Sequence, residues 1–182
     1  DKVEETRLQA LTTAVTQFTN AVAEKAAGKD GNIATTEDNI NHRIAIVGFA
    51  SKSGNGNNTE LLSIKGNNSG EVGVKYDSIT DQNLKDVLQS MDTSNGQTMV
   101  SDAISALTAN GGTRIDLGVD MANKILAANP VETGKERNRV VVVFTDGAPG
   151  DYGDWKSAST STANAAIENA KKTKTTYATT VY

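Results

Sequence analysis

Apolar side chains recur at spacings of three and four residues near the start of the chain, and this pattern predicts an amphipathic helix. The apolar stripe consists of Leu8, Leu11, Ala14, Val15, Phe18, Ala21 and Val22. The segment Gly28–Gly31 interrupts the periodicity and is typical of a helix end. The chain therefore opens with a helix that needs a partner surface for one face.

Two apolar segments without polar alternation predict strands that are buried on both faces. They are Arg43–Phe49 (RIAIVGF) and Arg139–Thr145 (RVVVVFT), the second with four consecutive valines. Short runs of β-branched residues of this kind are typical of parallel sheets covered by helices. Tyr177–Tyr182 (YATTVY) predicts the beginning of one more strand.

Helical spacing predicts four more helices. Their apolar stripes are Leu84, Val87, Leu88 and Met91, then Met99, Val100, Ala103, Ile104 and Leu107, then Ile115, Val119, Ala122, Ile125 and Leu126, and finally Ala163, Ala166, Ile167 and Ala170 within about 157–173. Thr80 or Asp81 is expected to cap the first of these helices. The turn Asn110-Gly111-Gly112 ends the second, and Thr113 opens the third.

A polar segment at about 51–77 predicts an insertion on the rim of the domain. It is rich in asparagine and glycine, which favour turns and positive φ. Within it, Glu60–Lys65 (ELLSIK) and Glu71–Asp77 (EVGVKYD) indicate two short strands, as a hairpin or an edge ribbon. We interpret residues 1–182 as a single domain that carries this insertion.

The alternation of helices and strands predicts an α/β fold with a doubly wound, mostly parallel sheet. Ligands of such sheets bind where the carboxyl ends of the strands meet. Here those ends carry Phe49-Ala50-Ser51, the neighbouring turn 111–113, and Thr145-Asp146-Gly147. Candidate ligand-binding residues are therefore expected at these three places.

A hydroxyl and a carboxylate are predicted to meet at this rim. Thr113 stands at the start of a helix, and Asp146 directly follows a buried strand. Each has a simpler interpretation, because Thr113 is suited to capping its helix and Asp146-Gly147 to forming a turn. Their combination favours a site for a hard divalent cation, Mg²⁺ or else Mn²⁺ or Ca²⁺, since such ions prefer oxygen ligands.

Composition excludes several classes of function. The formal net charge of -4 argues against a nucleic-acid surface, and the longest apolar run, Val140–Phe144, is too short to insert into a membrane. The absence of cysteine excludes disulfides and thiol nucleophiles. His42, the single histidine, has no evident nucleophile beside it in the sequence, and neither dinucleotide- nor P-loop signature occurs. We do not expect an enzyme, and a nucleotide-dependent enzyme is kept only as an alternative.

Two segments together resemble the von Willebrand factor A family: GGTRIDLGVDMA from Gly111 and RVVVVFTDGAP from Arg139. RIAIVGFAS is similar to the second strand of that family, and LQALTTAVTQFTNAV to its first helix. The resemblance covers nearly the whole chain outside 51–77. It implies a non-catalytic adhesion module with a metal-ion-dependent adhesion site. By this resemblance Thr113 is the second-loop ligand and Asp146 the third-loop ligand, often through water.

The start of the chain departs from the family pattern. The family has an Asp-x-Ser-x-Ser loop before its first helix, whereas this sequence has Asp1-Lys2-Val3 there, so no ligand role is transferred to Asp1. The resemblance implies a fragment without the central first strand and the C-terminal elements. The strands at 43–49 and 139–145 would then have open edges. We predict that the chain alone does not fold stably, and that an upstream segment or another chain supplies a strand.

The polar insertion resembles that of A-type domains at the tips of Gram-positive pili. This resemblance implies an extracellular location on a bacterial cell surface. The expected partner is a host or matrix protein whose carboxylate completes the coordination of the cation. A purely structural A-type domain without a functional metal stays open as an alternative.

Overall fold

The structure, a computed structural model, describes residues 6–26, 41–52, 56–109, 111–134, 137–145, 147–150 and 159–182. The helices within these ranges are α1 (Arg7–Ala26), α2 (Asp81–Asp86), α3 (Ser94–Ser105), α4 (Ile115–Ala128) and α5 (Thr160–Tyr177). The strands are β1 (Arg43–Ile44), β2 (Val47–Gly48), β3 (Ser51–Lys52), β4 (Gly56–Asn57), β5 (Glu60–Lys65), β6 (Val72–Lys75), β7 (Gln89–Ser90), β8 (Arg139–Val141) and β9 (Thr179–Val181). This mixture of helices and strands agrees with the predicted α/β class in its coarse form.

The described residues group into two compact units. The first comprises those within Asp1–Ile46, Leu61–Val74 and Asp86–Ala109, and the second those within Val47–Glu60, Lys75–Lys85 and Asn110–Tyr182. None of the helices that the structure describes is long and apolar enough to cross a membrane.

Aliphatic side chains of α1 and α3 form a core in the first unit. Its buried members are Val15, Ala26, Met91, Val100 and Ile104. Burial of each large aliphatic side chain contributes roughly 1.5–3 kcal/mol. The predicted stripe of α1 is confirmed at Val15. It is wrong at Ala14, Phe18 and Ala21, which are exposed because α1 packs on α3 through the face that carries Val15 and Thr19.

The strand β5 is buried along most of its length, with Leu61, Leu62 and Ile64 in the interior. It neighbours β6, and Gly66 in the turn between them donates its N–H to the carbonyl of Glu71 at 2.8 Å. The predicted hairpin is therefore confirmed. Its predicted place on a rim is wrong, because its apolar side chains point to both faces and fill the interior.

The polar residue within β5 is accommodated by backbone partners. The Ser63 hydroxyl donates to the carbonyl of Val87 and accepts from the N–H of Ile46, both at 2.8 Å. A buried hydroxyl with two partners avoids the cost of an unpaired polar group. Ser63 therefore ties β5 to two other segments of the first unit.

The predicted parallel strand Arg43–Phe49 is shorter and differently paired. Its first part, β1, pairs antiparallel with β7, and the segment is only partly buried. The strand β7 exists because α2 ends at Asp86 instead of continuing to Met91 as predicted. The side-chain amide of Gln89 donates to the carbonyls of Asp86 (2.6 Å) and Ser63 (2.9 Å), which ends the helix and draws 89–90 into an extended conformation.

The second unit contains a parallel pair of strands. β8 pairs with β9 in the register Arg139↔Thr179, Val140↔Thr180 and Val141↔Val181, and α5 lies between them in the chain. This β8–α5–β9 arrangement is the local connection that the sequence predicted. The pairs β1–β7 and β3–β4 are antiparallel, so the described strands do not form the predicted doubly wound, mostly parallel sheet.

The strand β8 is not buried on both faces as predicted. Val140, Val142 and Phe144 share one face of this segment and are exposed, Val140 by 53%. Their exposure shows that this face is not covered by the described residues, and β9 is the one hydrogen-bonded neighbour of β8 among them. One face and one edge of this apolar strand therefore remain uncovered in that part of the chain.

Buried polar side chains align α4 with α5. The Thr173 hydroxyl donates to Oδ1 of Asn123 at 2.7 Å, and Nδ2 of Asn123 donates to the carbonyl of Asn169 at 3.1 Å. Nδ2 of Asn169 donates in turn to the carbonyl of Asp116 at 3.0 Å. The helix predicted at 157–173 is thus confirmed, but its buried face carries threonines, and Ile167 is exposed. The network holds the first turn of α4, which follows Thr113.

Candidate functional site

Thr113 lies in a short loop before α4 and not within the helix. The helix begins at Ile115, and its N-cap residue is Arg114, which makes no side-chain cap hydrogen bond. The prediction that Thr113 opens the helix is therefore wrong by two residues. The simpler interpretation of Thr113 as the helix cap does not hold either, so its hydroxyl calls for another explanation.

Ser51 holds the residue immediately before Thr113. Its N–H donates to the carbonyl of Gly112 at 3.2 Å, and its Oγ accepts from the N–H of Gly112 at 3.2 Å. Ser51 is only 1% exposed. The end of the segment 43–51 and the turn 111–113 are thus neighbours, as the sequence predicted.

Gly111 permits this close approach. Its φ is +99°, and a Cβ at this position would overlap the carbonyl oxygen of Ser51 and lie 3.0 Å from Cβ of Ala50. An L side chain rarely adopts this φ and would also have no room. Both the positive φ and the lack of space for a Cβ therefore require glycine at position 111.

The segment that follows β8 packs directly against Thr113. A Cβ on Gly147 would overlap Oγ1 of Thr113, and the N–H of Gly150 donates to the carbonyl of Thr113 at 3.1 Å. The hydroxyl of Thr145 accepts from the N–H of Gly147 at 3.3 Å and so shapes this turn. Asp146, the predicted carboxylate ligand, lies outside the described residues.

A buried ion pair follows Thr113 at once. Nε and a terminal nitrogen of Arg114 donate to the two carboxylate oxygens of Asp116 at 2.8 and 2.7 Å. The two side chains are 17% and 8% exposed, respectively. This forked geometry is the strongest common form of ion pair in proteins, and the carboxylate also suits the first turn of a helix. Sequence reasoning missed the pair, because an arginine two residues before an aspartate is too common a spacing to be a signal.

A second charged group of α4 lies in its second half. Lys124 donates to Asp120 at 2.9 Å and lies 5.3 Å from the ring centre of Tyr76. The hydrogen bond to Asp120 raises the pKa of Lys124 above its ordinary value, although partial burial opposes this. The associated stabilisation is present at neutral pH and is lost only as the pH rises through the raised pKa of Lys124.

The donor set at Thr113 fits a hard cation in its chemistry. The hydroxyl of Thr113 is not used to cap α4, and it borders the turn that directly follows Asp146 in the chain. Among the described residues there is no group of three or more histidine, cysteine, aspartate or glutamate side chains that could hold a metal ion. A site here therefore depends on Thr113 and Asp146 together with water or a ligand from a partner.

Comparison of the chain with models of known protein families, with curated proteins and with solved structures found no match. The loop geometry around Thr113 and the motifs in the sequence are therefore the features that indicate a function. Two features of that geometry were predicted from the positions of the strand ends, namely the neighbouring positions of 51 and 111–113 and the approach of the segment after β8, although the parallel sheet assumed in that prediction is not formed.

Proposed function

We propose that the chain is a non-catalytic adhesion or protein-interaction domain of the von Willebrand factor A type. In this proposal a divalent cation, Mg²⁺ or else Mn²⁺ or Ca²⁺, is held by Thr113 and Asp146. The observation that supports it best is the packing of Gly147, the residue after Asp146, against the Thr113 hydroxyl. The proposed location is the surface of a bacterial cell, as on a Gram-positive pilus.

The two proposed ligands leave much of the cation's coordination to other groups. A neutral hydroxyl and one carboxylate compensate only part of its charge, and Mg²⁺ readily keeps several waters. A carboxylate from a protein partner would supply both charge and a hard oxygen. The chain's own residues would orient the cation, and the surrounding loops would select the partner.

Replacement of Thr113 by valine should weaken Mg²⁺ binding while leaving the fold intact. Valine has nearly the shape of threonine but no hydroxyl, so the variant removes one ligand and little packing. We expect a loss of at least about tenfold in affinity, since even outer-shell changes cost metal sites 10–100-fold. Isothermal titration with MgCl₂ measures the effect on the chain with its proposed additional strand supplied, and MnCl₂ serves as a second probe.

Thr113→Ser is the matched control, because it keeps the hydroxyl and should bind Mg²⁺ almost as the parent does. Equal binding by the parent and by both Thr113→Val and Asp146→Ala would contradict the cation site. That result would favour a structural domain without a metal. Saturable binding of ATP or NAD by the parent would instead favour the alternative of a nucleotide-dependent enzyme.

The proposal includes an additional strand beside β8, supplied by an upstream segment or by another chain. Val141 accepts from the N–H of Tyr182 and Val143 donates to the carbonyl of Tyr182, both at 2.9 Å. Because backbone groups alternate along a strand, those of Val140 and Val142 point to the opposite edge. An extended segment would satisfy the backbone groups at this edge.

Hydrogen exchange of the chain alone tests whether that edge is open. We expect the amides of Val140 and Val142 to exchange at least about tenfold faster than those of Val141 and Val143, which face β9. The four valines are consecutive residues of one type, so each pair controls for the other. Equal protection of all four amides, together with a cooperative melt at high temperature, would contradict the need for a supplied strand.

A further inference from the structure

Ser51 uses its side-chain hydroxyl, as well as its backbone, to hold the turn before Thr113. Its side chain, and not only its backbone, contacts the residue that precedes Thr113. Almost any residue at position 51 could donate its backbone N–H to Gly112. The N–H of Gly112, in contrast, is accepted by the hydroxyl oxygen of Ser51. The identity of residue 51 is therefore tied to the position of Gly112.

We propose that Ser51 is a positioning residue that sets the Thr113 hydroxyl for binding the cation. This inference rests on the proposed function, because it assigns Ser51 a part in the same site. Ser51 does not contact the cation in this proposal. It fixes the backbone one residue before the ligand, through a closed pair of hydrogen bonds within the second unit.

The loop around Thr113 is held on each side by a different contact. Gly150 donates to the carbonyl of Thr113, and Arg114 is held by its ion pair with Asp116. On the preceding side, the described contacts are the close approach of Gly111 to Ser51 and the two bonds between Ser51 and Gly112. Of these, only the bond from the Gly112 N–H depends on the Ser51 side chain, because the other two involve its backbone. Loss of its hydroxyl would free the Gly112 N–H and let Thr113 shift, and shifts of about 0.5 Å are enough to impair a metal site.

Ser63 provides a matched control for Ser51. It is also buried, at 0% exposure, and its hydroxyl also accepts a backbone N–H, that of Ile46 at 2.8 Å. It belongs to the first unit, whereas Thr113 belongs to the second. Ser63→Ala therefore removes the same type of hydrogen bond, together with the bond that Ser63 donates to Val87, without touching the loop that carries Thr113.

Mg²⁺ affinity of Ser51→Ala and Ser63→Ala separates positioning from general stability. We expect about a tenfold loss of affinity for Ser51→Ala, as for other groups that orient a metal ligand. Ser63→Ala should melt at a similarly lowered temperature and bind Mg²⁺ as the parent does. Titrations are made well below the melting temperature of each variant, so that the folded fraction does not limit binding.

Each outcome has a distinct meaning. If the parent binds Mg²⁺ and Ser51→Ala binds it equally well, or if both variants weaken binding alike, the positioning role is wrong and the proposed function stands. If the parent does not bind Mg²⁺, the proposed function itself fails.

A variant that does not fold leaves a test on the parent alone. Saturating Mg²⁺ should slow exchange of the Gly112 amide and leave that of Ile46, held by Ser63, unchanged. No change at Gly112 would overturn the proposal.

Discussion

Arg114→Met is expected to lower the free energy of unfolding by about 3–5 kcal/mol at neutral pH. The substitution keeps much of the length of the side chain but removes the guanidinium that donates to both oxygens of Asp116. The carboxylate, whose side chain is 8% exposed, would then be left without its partner in the protein interior. Breaking one side of a buried pair costs more than the pair contributes, because an uncompensated charge remains. Urea denaturation monitored by circular dichroism measures the change in the chain with its proposed additional strand supplied.

Two controls show whether burial is the cause. Lys171 and Glu168 form a pair of the same length, 2.7 Å, but are 64% and 69% exposed. Lys171→Met should therefore change stability by no more than about 0.5 kcal/mol. The double variant Arg114→Met/Asp116→Asn should recover part of the loss, because the unpaired group is then neutral. A loss for Arg114→Met no larger than that for Lys171→Met would contradict the assignment of a buried pair.

Gly111→Ala is expected to lower the free energy of unfolding by about 2–4 kcal/mol. A positive φ costs an L residue roughly 1–2 kcal/mol, and the overlap of the new Cβ with the Ser51 carbonyl adds to it. The strand end at Ser51 and the turn before Thr113 would have to separate. Thermal and urea denaturation measure stability, and the Gly112 amide resonance reports the local change.

Gly134→Ala isolates the conformational part of this cost. Gly134 also has a positive φ, +81°, but no atom lies within 4 Å of the position that its Cβ would take. This variant should lose only about 1 kcal/mol. If Gly111→Ala and Gly134→Ala were equally destabilising, the close approach of Gly111 to Ser51 would contribute nothing and the geometry of this loop would be wrong.

Local periodicity was enough to find most of the helices. The stripes around Val15, Val100 and Val119 and the stripe within about 157–173 each predicted a helix that the structure contains, because a period of 3.6 residues is visible in any window of a few turns. The hairpin of β5 and β6 was also predicted, since the asparagine and glycine residues at 66–70 are typical of a turn. Errors at helix ends arose where a distant partner decided them, as Ser63 does for α2 through its bond from Gln89.

Burial was predicted less well, because it depends on which surfaces meet. The same apolar pattern lies in the interior at Leu61–Ile64 and at the surface at Val140–Phe144. Nothing within either segment distinguishes the two outcomes. The first is paired at both edges, with β6 on one side and with Ile46 through the N–H of Leu62 on the other, whereas the second has one described neighbour, β9, at one edge.

The sequence by itself determined the position of the candidate site, because its turn residues and strand ends indicated Thr113. The structure then places Gly147, the residue after Asp146, against Thr113. Only the tertiary structure decided what supports the loop. Ser51 and Gly112 are 61 residues apart, so their hydrogen bonds cannot be predicted from the spacing of residue types. Periodicity records which face of an element is apolar, whereas contacts between distant backbone groups form only once the elements have packed.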